Sequence, residues 1–554
     1  MNKQNDYKSN KITEWKKKLA RPTNPVSLAC FRIGFGIFMF FHIYLYQTPD
    51  VINAVYLSPD FHFTFPLFDW LHLPIPTAVS ISILLKIIAV SALCIAIGLL
   101  TRISAGIFFI TFGYIFLLEK SEYSQYYYLV LLLSFLFMIT NANRFFSVDN
   151  LIFKQSKKNA IPYWNLFLFQ FQFILVYFFG GIAYLNNDWI SGRVVQSIFE
   201  GAGDLFFFAT SISALLILLS APLMLIYKPL KYAGILLLVI FNAFIKYSLG
   251  FGIFPYLMII SSVLFIHLEE IRGLSRLFRP KKAAATIQPE MAHSEAIKPG
   301  VWLFIITYVF FQFFIPLRFL LEKGPVQWTL NGSRFSWRLL AQNNLGHIDF
   351  FVTDIVTGET KEAPRLKGIT VSSYLQMACH PDMIIQYARY LHDVYQKQGV
   401  YNPIITSNSF VSFNGRPFSL FINPEFNLAH PTIHPNSDNL LTPAPFVRQD
   451  TMITPKNVGR FFPPEYQLAV IEEESLLPGD HPTVGVMNDL IYQLIGDPTV
   501  SPAEISDTVV ELHNMLYSKY GRHFTIKQIL ETLYDKAGQM TTVPSIDELI
   551  KYFL

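Results

Sequence analysis

The chain has 554 residues, of which 52% are hydrophobic and only 15% are charged, and its mean hydropathy is +0.36. Soluble domains carry about 25% charged residues, so this composition indicates a membrane protein with part of its chain outside the bilayer. The formal net charge is only +4, and three cysteines are too few for a disulfide framework. We expect no nucleic-acid partner and no metal site.

The N-terminal segment of residues 1–25 is polar and basic and leads directly into an apolar run, without a cleavable signal. A helix that crosses the bilayer needs roughly 20 apolar residues. This pattern predicts an all-α membrane domain of about nine transmembrane helices over residues 26–321, with a polar linker at 280–300 before the last. The predicted spans, of which the third and fourth are short, are residues 26–46, 78–100, 103–118, 126–141, 166–185, 205–227, 232–249, 252–268 and 301–321.

Lysine and arginine residues fall on alternate loops of this arrangement. Residues 1–25 carry seven of them, the loop 47–77 carries none, and further basic groups follow the second, fourth, sixth and eighth spans. The positive-inside rule therefore predicts a cytoplasmic N-terminus. Nine crossings then predict that the chain after residue 322 lies in a periplasm or a lumen.

The rest of the chain has the composition of a soluble protein. Two segments, HIDFFVTDIVTGE and FVSFNGRPFSLFINP, predict strands around turns, and PDMIIQYARYLHDVYQKQ predicts a helix. We expect an extracytoplasmic, strand-rich α/β domain over residues 322–470 and a helical C-terminal domain over residues 485–554. The latter weakly resembles a carrier protein, with Ser506 at the position of a phosphopantetheine serine, but it lacks the Asp-Ser-Leu signature. The alternative is a small amphipathic helical bundle.

Several polar groups lie inside the predicted spans, where an ionisable side chain is costly and by default indicates function. Arg32 lies about two turns into the first span, and Lys246 lies near Asn242 in the seventh. The alternative is that both cations reach the membrane surface along their apolar stems. Gly180 and Gly181 permit the close approach of another segment. Together these residues indicate a polar-lined pocket below the α/β domain, which an apolar quinone or lipid could enter from the bilayer.

An ordered series of segments resembles one protein family over roughly residues 20–430. In the predicted membrane domain these segments are RPTNPVSLACFRIGFG, YLSPDFHFTFPLFDWLHLP, FLLEK, SVDNL and FQFILVYFFGGIAYLNNDWISG. Beyond it follow WTLNGSRFSWRLL, TDIVTGET, HPDMIIQYARYL and FVSFNGRPFSLFINP. The series resembles the vitamin K-dependent γ-glutamyl carboxylase family, and especially its bacterial relatives, the horizontally transferred transmembrane (HTTM) domain proteins.

The resemblance implies a coupled reaction and its reactants. A base deprotonates vitamin K hydroquinone, of the phylloquinone or menaquinone type, and the product reacts with O2 to give an alkoxide that removes a γ-proton from a glutamate side chain. CO2 adds to the carbanion, vitamin K epoxide leaves, and no metal takes part. The base must be a neutral amine near pH 7, which requires a desolvated lysine. The implied partners are the lipid bilayer and a glutamate-containing polypeptide.

The sequence departs from the family at the position of that base. In the carboxylases the segment equivalent to GGIAYL carries a lysine before its leucine, and here that residue is Tyr184. A tyrosine has an ordinary pKa of about 10, and burial raises it further, so it donates a hydrogen bond but is a poor base. The alternative for Tyr184 alone is an interfacial aromatic residue at a helix end.

Other polar positions of the family site are changed too. An Asn-His pair is replaced by Gln125 and Tyr126, and a His and an Asn of the seventh span are replaced by Asn242 and Ile245. The histidine expected in KNAIPYWN is missing, and Phe410 replaces a tryptophan of the glutamate-contacting strand. The candidate pocket or quinone-binding residues are therefore Gln125, Tyr126, Asn242, Trp189 and Arg32, and the candidate substrate-binding residues are Phe410, Ser412 and Asn414.

Two functional hypotheses follow. The first is an enzyme of altered or lost activity, in which Tyr184 replaces the lysine and Lys246, one residue after the lost asparagine, is the candidate for a relocated base. The second is a non-catalytic protein that binds quinone or lipid, or interacts with another protein, on the same scaffold.

Overall fold

The computed structural model describes most of the first two predicted domains. The predicted helical domain at 485–554, including Ser506, most of the linker at 280–300 and the end of the α/β domain after residue 446 lie outside the described residues. The described residues are 13–45, 53–71, 73–152, 160–199, 202–249, 252, 254–266, 296–364 and 366–446.

The membrane domain is an assembly of apolar helices joined by short turns and loops. Its main helices in the described part of the chain are α1 (Val26–Leu45), α2 (Ala78–Ile97), α3 (Thr101–Leu118), α4 (Gln125–Ile139), α5 (Trp164–Ala183), α6 (Asp204–Ile226), α7 (Lys231–Leu249), α8 (Phe254–Ser261) and α9 (Pro299–Phe314). Within these residues seven are long and apolar enough to cross a membrane, with α9 counted together with the 3-10 segment Ile315–Leu321 that continues it. α4 and α8 are shorter apolar helices. The predicted all-α class is confirmed, but the count is seven long helices rather than nine.

The two shorter helices end for local reasons that an apolar sequence window does not reveal. The backbone N–H of Tyr127 donates to the Ser124 hydroxyl where α4 begins, at 3.4 Å, and the chain becomes extended at Thr140 after 15 helical residues. At 1.5 Å per residue α4 spans about 22 Å, less than the roughly 30 Å hydrocarbon core. α8 has eight residues and continues as a 3-10 turn over Ser262–Phe265.

The helices approach closely at small residues and interlock through phenylalanine rings. At Gly36 of α1 an added Cβ would lie 2.5 Å from the carbonyl oxygen of Ala92 and 2.5 Å from the amide nitrogen of Ala96, both in α2. Glycine is therefore needed for this helix contact. Next to it, the rings of Phe31 and Phe137 stack with centroids 5.9 Å apart. The middle of the membrane domain is thus a packed aromatic core.

The N-terminal segment closes one end of the membrane domain. Pro22–Thr23 pairs antiparallel with Ile161–Pro162, immediately before α5. The Lys16 ammonium lies 5.2 Å from the ring centroid of Trp302 in α9. The starts of α1, α5 and α9 therefore lie at the same end, and the chain that follows α9 begins at the other.

That following chain forms a mixed α/β domain, described over residues 326–446. Two helices, α10 (Val371–Ala378) and α11 (Pro381–Lys397), pack on the buried face of its sheet around Ile348, Phe350 and Ile384. The predicted strands and the predicted helix are both present. The four strands of the sheet are β1 (Asn344–Thr353), β2 (Thr360–Glu362), β3 (Ile404–Phe413) and β4 (Ser419–Ile422). All neighbours are antiparallel, and the order across the sheet is β2, β1, β3, β4.

Candidate functional site

A small cavity lies where the membrane domain meets the α/β domain. Its volume is about 30 Å³, and since one water molecule needs roughly 10–15 Å³ in this measure, it has room for about two waters. The wall is mostly apolar. Its residues come from α4 to α8 and from the segment before β1: Gln125, Val176, Tyr177, Gly180, Tyr184, Leu218, Phe241, Ile245, Phe254, Trp337 and Leu339.

The end of α5 fixes Tyr184 in this wall. One turn earlier, an added Cβ on Gly181 would lie 2.7 Å from Leu219 Cδ2, so the glycine lets α6 approach. The Tyr184 side chain is 3% exposed and stacks on Trp189, with ring centroids 3.5 Å apart and an interplanar angle of 19°. Trp189 Nε1 in turn donates to the carbonyl oxygen of Ser211 at 3.0 Å. The stacked pair is therefore anchored to α6.

Three buried polar atoms in or behind the wall have no hydrogen-bond partner within the described residues: Gln125 Oε1, Trp337 Nε1 and Asn242 Oδ1. The Nδ2 of Asn242 donates to the Tyr177 hydroxyl at 2.9 Å, and the Trp337 ring stacks on Tyr128 with centroids 5.1 Å apart. A buried polar group without a partner is costly. These atoms are therefore suited to hydrogen bonds with water or with the polar ends of a ligand.

The structure brings together several residues that the sequence singled out. Gln125, Tyr184 and Ile245 line the cavity, and Asn242 bonds to the lining residue Tyr177. These positions come from three helices far apart in sequence. Four of the positions that the sequence singled out therefore converge on one place.

Two candidates on the same helices point elsewhere. Tyr126 is not part of the lining and packs on Tyr127, with ring centroids 4.6 Å apart. Lys246 follows the lining residue Ile245, but successive helical residues point about 100° apart. Its ammonium lies 5.3 Å from the ring centroid of Tyr256. The expectation of a relocated base at Lys246 is therefore not supported by its position.

Arg32 is buried at the opposite end of the membrane domain. Its guanidinium donates to the carbonyl oxygens of Ala142 at 3.0 Å, Ala96 at 3.4 Å and Phe146. α4 begins at the cavity with Gln125 and ends just before Ala142. The length of this helix therefore puts Arg32 about 20 Å from the cavity. Arg32 was predicted to line the pocket; in the structure it is not among the lining residues and binds chain carbonyls at helix ends.

Two candidates on β3, Phe410 and Ser412, and a third just after it, Asn414, also lie outside the cavity lining. Phe410 is 37% exposed on the sheet. The Ser412 hydroxyl donates to the carbonyl oxygen of Arg416 at 2.6 Å, and Asn414 Oδ1 accepts the backbone N–H of Asn343 at 2.9 Å. Ser412 and Asn414 are therefore held in hydrogen bonds that shape the end of the strand.

An ion pair beside the stacked rings joins the two domains. Arg416 Nη1 and Nη2 donate to the two carboxylate oxygens of Asp188, at 2.7 Å each, and Asn414 Nδ2 donates to Asp188 Oδ2 at 2.8 Å. Burial raises the pKa of the Asp188 carboxyl, but the hydrogen bonds from Arg416 and Asn414 outweigh burial and hold the pKa below its ordinary value. Because Asp188 immediately precedes Trp189, this pair fixes the turn that carries the Trp189 ring.

A desolvated lysine lies in a second buried cluster between the domains. Lys120 is 1% exposed, and its Nζ lies 3.1 Å from Asp382 Oδ2, which also binds Arg334 Nη1 at 2.6 Å. Burial lowers the pKa of Lys120 to about 8, although Asp382 opposes the shift. Such an amine resembles the base that the family chemistry needs, but Lys120 is not among the residues that line the cavity.

Sequence reasoning missed several residues of this site. Trp337 lies in WTLNGSRFSWRLL and Arg416 in FVSFNGRPFSLFINP, two segments noted only for their resemblance, and Asp188 adjoins the noted Trp189. A lysine after an apolar helix, such as Lys120 in FLLEK, is typical of a membrane surface. The sequence marked these residues only by their position in or beside segments that resemble the carboxylase family. Such a resemblance does not reveal which side chains are in contact.

The apolar helices and the α/β domain, with a cavity where the two meet, define the chain as a multi-pass membrane protein whose second domain lies at one end of the first. Comparison with protein-family models matches residues 20–269 to the HTTM domain and residues 297–442 to the vitamin K-dependent gamma-carboxylase lumenal domain. Together the matches cover most of the chain, which belongs to the vitamin K-dependent gamma-carboxylase family in its HTTM form. No solved structure matches it.

Proposed function

We propose that this carboxylase-like membrane protein does not carry out ordinary glutamate carboxylation and that its altered cavity binds a quinone or another apolar ligand. The proposal rests on one observation. The lining residues in the described part of the chain include Tyr184 at the position of the family lysine, and they include no lysine, histidine or carboxylate.

The missing amine matters because of the proton chemistry that the family reaction needs. A general base must accept a proton near the operating pH and must lie within hydrogen-bond reach of it. A phenol is protonated in that range, since its ordinary pKa is about 10 and burial disfavours its anion. Tyr184 can donate a hydrogen bond to a ligand, whereas Lys246 and Lys120 lie outside the lining.

Vitamin K hydroquinone fits the polar atoms of the cavity but not its present volume. A hydroquinone hydroxyl can donate to Gln125 Oε1, and a ring oxygen can accept from Trp337 Nε1. Small-molecule sites, however, usually measure about 300–1,000 Å³, against about 30 Å³ here. A naphthoquinone ring can therefore enter only if part of the wall moves. We therefore derive no reaction step through this group.

The orientation of the protein in the membrane is part of the proposal. We place the N-terminus in the cytoplasm and the α/β domain in a periplasm or lumen, with a glutamate-containing polypeptide as a further candidate partner of that domain. The alternating lysine and arginine residues support this orientation. So does the contact between Lys16 and Trp302, which puts the start of α9 at the N-terminal end.

Quinone binding and quinol oxidation can be measured separately. We expect mass spectrometry of the protein purified with native lipid to detect bound quinone, and we expect no epoxide when vitamin K hydroquinone and O2 are added. Tyr184→Phe keeps the stacked ring and removes only the hydroxyl, so it should retain the quinone more weakly, by the few-fold loss typical of one neutral hydrogen bond. Lys246→Ala should behave as the wild type.

Two results would contradict this reading in different ways. Epoxide formation by the wild type that disappears in Lys246→Ala would show that a base has moved to α7. Absence of quinone from the wild type, with no uptake of added menaquinone, would exclude the binding function and leave interaction with another protein as the alternative.

A further inference from the structure

Arg338 is a buried cation without a counterion among the described residues. It is 6% exposed, and its guanidinium carbon lies 5.1 Å from the ring centroid of Phe319. Burial lowers its pKa to about 10, so it is still charged at neutral pH. Two other arginines between the domains have carboxylate partners: Arg334 binds Asp382, and Arg416 binds Asp188. Arg318, in the segment that continues α9, lies 5.3 Å from the ring centroid of Phe335. A buried charge without a partner is rare and requires an explanation.

The donors that lack partners lie on one edge of the Arg338 guanidinium. Within the described residues, neither its Nε–H nor its Nη2–H group has a hydrogen-bond acceptor. These two N–H groups point the same way, which is the arrangement that binds two oxygens of a phosphate or a carboxylate at once. The position therefore has the geometry of a site for an anion with two accessible oxygens.

The surroundings of Arg338 indicate where that anion comes from. Its ring partner Phe319 belongs to the 3-10 segment Ile315–Leu321 that continues α9. Phe314, at the end of α9, is 51% exposed, and within the 3-10 segment Leu320 is 68% and Leu321 is 87% exposed. Such apolar side chains at the end of a membrane-spanning helix face lipid. The cation is therefore buried directly beside a surface that acyl chains cover.

We propose that Arg338 binds the phosphate of an anionic phospholipid at the rim where α9 meets the α/β domain. The acyl chains of such a lipid would contact the exposed apolar side chains at the end of α9, and its phosphate would bind the Arg338 guanidinium. Basic pockets beside transmembrane helices are suited to anionic headgroups. A water-soluble acidic peptide would match only the cation. This site is separate from the cavity, whose wall contains Trp337 and Leu339 but not Arg338, and the proposal does not depend on quinone binding.

Native mass spectrometry of the full chain in nanodiscs tests the site. The bilayers contain phosphatidylcholine alone or phosphatidylcholine with phosphatidylglycerol, and the readout is the lipid retained on the protein. We expect selective retention of phosphatidylglycerol by the wild type. Arg338→Gln should weaken that retention about tenfold or more, as expected for loss of a charge-assisted pair of hydrogen bonds. Arg338→Lys keeps the positive charge but loses the parallel pair of N–H donors that can bind two phosphate oxygens, so it should also weaken retention.

A matched control is Lys323→Gln, which removes a cation near the same rim that is exposed and paired with Asp438. It should leave retention unchanged. Equal retention of the two lipids by the wild type, or unchanged selectivity in Arg338→Lys, would overturn the proposal even if Arg338→Gln failed to fold. Displacement of phosphatidylglycerol by millimolar inorganic phosphate would identify free phosphate as the ligand instead. Displacement by a poly-glutamate peptide would identify an acidic polypeptide.

Discussion

Replacement of Asp382 by asparagine is expected to destabilise the folded protein by about 3 kcal/mol or more. Asp382 neutralises two cations at once, Lys120 at 3.1 Å and Arg334 at 2.6 Å. Removal of one partner from a buried ion pair leaves a charge that is neither solvated nor neutralised, which typically costs about 3–5 kcal/mol. The measurement is the shift of the unfolding midpoint in detergent.

The control for Asp382→Asn is Asp438→Asn, which breaks the exposed ion pair with Lys323. Exposed pairs are worth about 0–1 kcal/mol, so this variant should unfold close to the wild type. If Asp382→Asn and Asp438→Asn unfolded at the same midpoint, the buried cluster would not hold the domains together.

The same cluster predicts a dependence of stability on pH. Burial raises the pKa of Asp382, but Arg334 and Lys120 outweigh burial and hold that pKa far below its ordinary value. A carboxyl with a lowered pKa contributes stability that is complete above its ordinary pKa and is lost as the pH falls below it. The wild type should therefore lose stability below about pH 4 more steeply than Asp382→Asn.

Replacement of Arg416 by methionine should separate the α/β domain from the turn that carries Trp189. The substitution removes two hydrogen bonds of 2.7 Å from the partly buried carboxylate of Asp188, which keeps the hydrogen bond from Asn414. We expect a loss of about 3 kcal/mol in stability. We also expect faster hydrogen exchange of the backbone N–H groups of Trp189 and Ile190, which bond to Asn186 at 2.9 and 3.0 Å.

Arg416→Lys is the informative companion to Arg416→Met. Lysine keeps the charge but cannot make the two-pronged contact with Asp188, so its effects should be intermediate. Exchange at the turn of residues 186–190 that matched the wild type in Arg416→Met would contradict a role for the ion pair in holding Trp189 in place.

Much of the architecture could be predicted from the sequence because apolar length is a direct signal. Seven of the nine predicted spans formed helices long enough to cross a membrane, and the strands around β1 and β3 formed where alternating residues flank turns. The fourth span, predicted as short, agrees with α4 to within two residues. The eighth span was overestimated, because its apolar residues continue past Ser261, where regular α-helix ends.

The candidate site was predictable only in part. The aligned residues Gln125, Tyr184 and Ile245, which the sequence singled out, line one cavity because helices of a bundle meet at their ends. The wall formed by Trp337 was not predictable, because this residue and Phe335 have positive φ angles of 58° and 60°. Aromatic residues rarely adopt this conformation, and nothing in the local sequence indicates it. Tertiary contacts such as the stack of Trp337 on Tyr128 impose it.

Lys246 shows a second limit of sequence reasoning. One position along a helix turns a side chain by about 100°, which is enough to move an amine from the cavity to the ring of Tyr256. A residue beside an aligned position is therefore a weak candidate for the same role. Lys120 shows the converse, since its burial depends on α11 of the α/β domain, which carries Asp382 more than 260 positions later in the chain.

The most direct measurement is mass-spectrometric detection of γ-carboxyglutamate. The unaltered protein is incubated in native lipid with vitamin K hydroquinone, O2, bicarbonate and a glutamate-rich peptide. A cavity wall that holds the Tyr184 phenol and, within the described residues, no lysine or histidine predicts that the peptide gains no carboxyl group. Carboxylated peptide made by the wild type would contradict the account, and its formation by Tyr184→Phe as well would show that the chemistry proceeds without a hydroxyl at position 184.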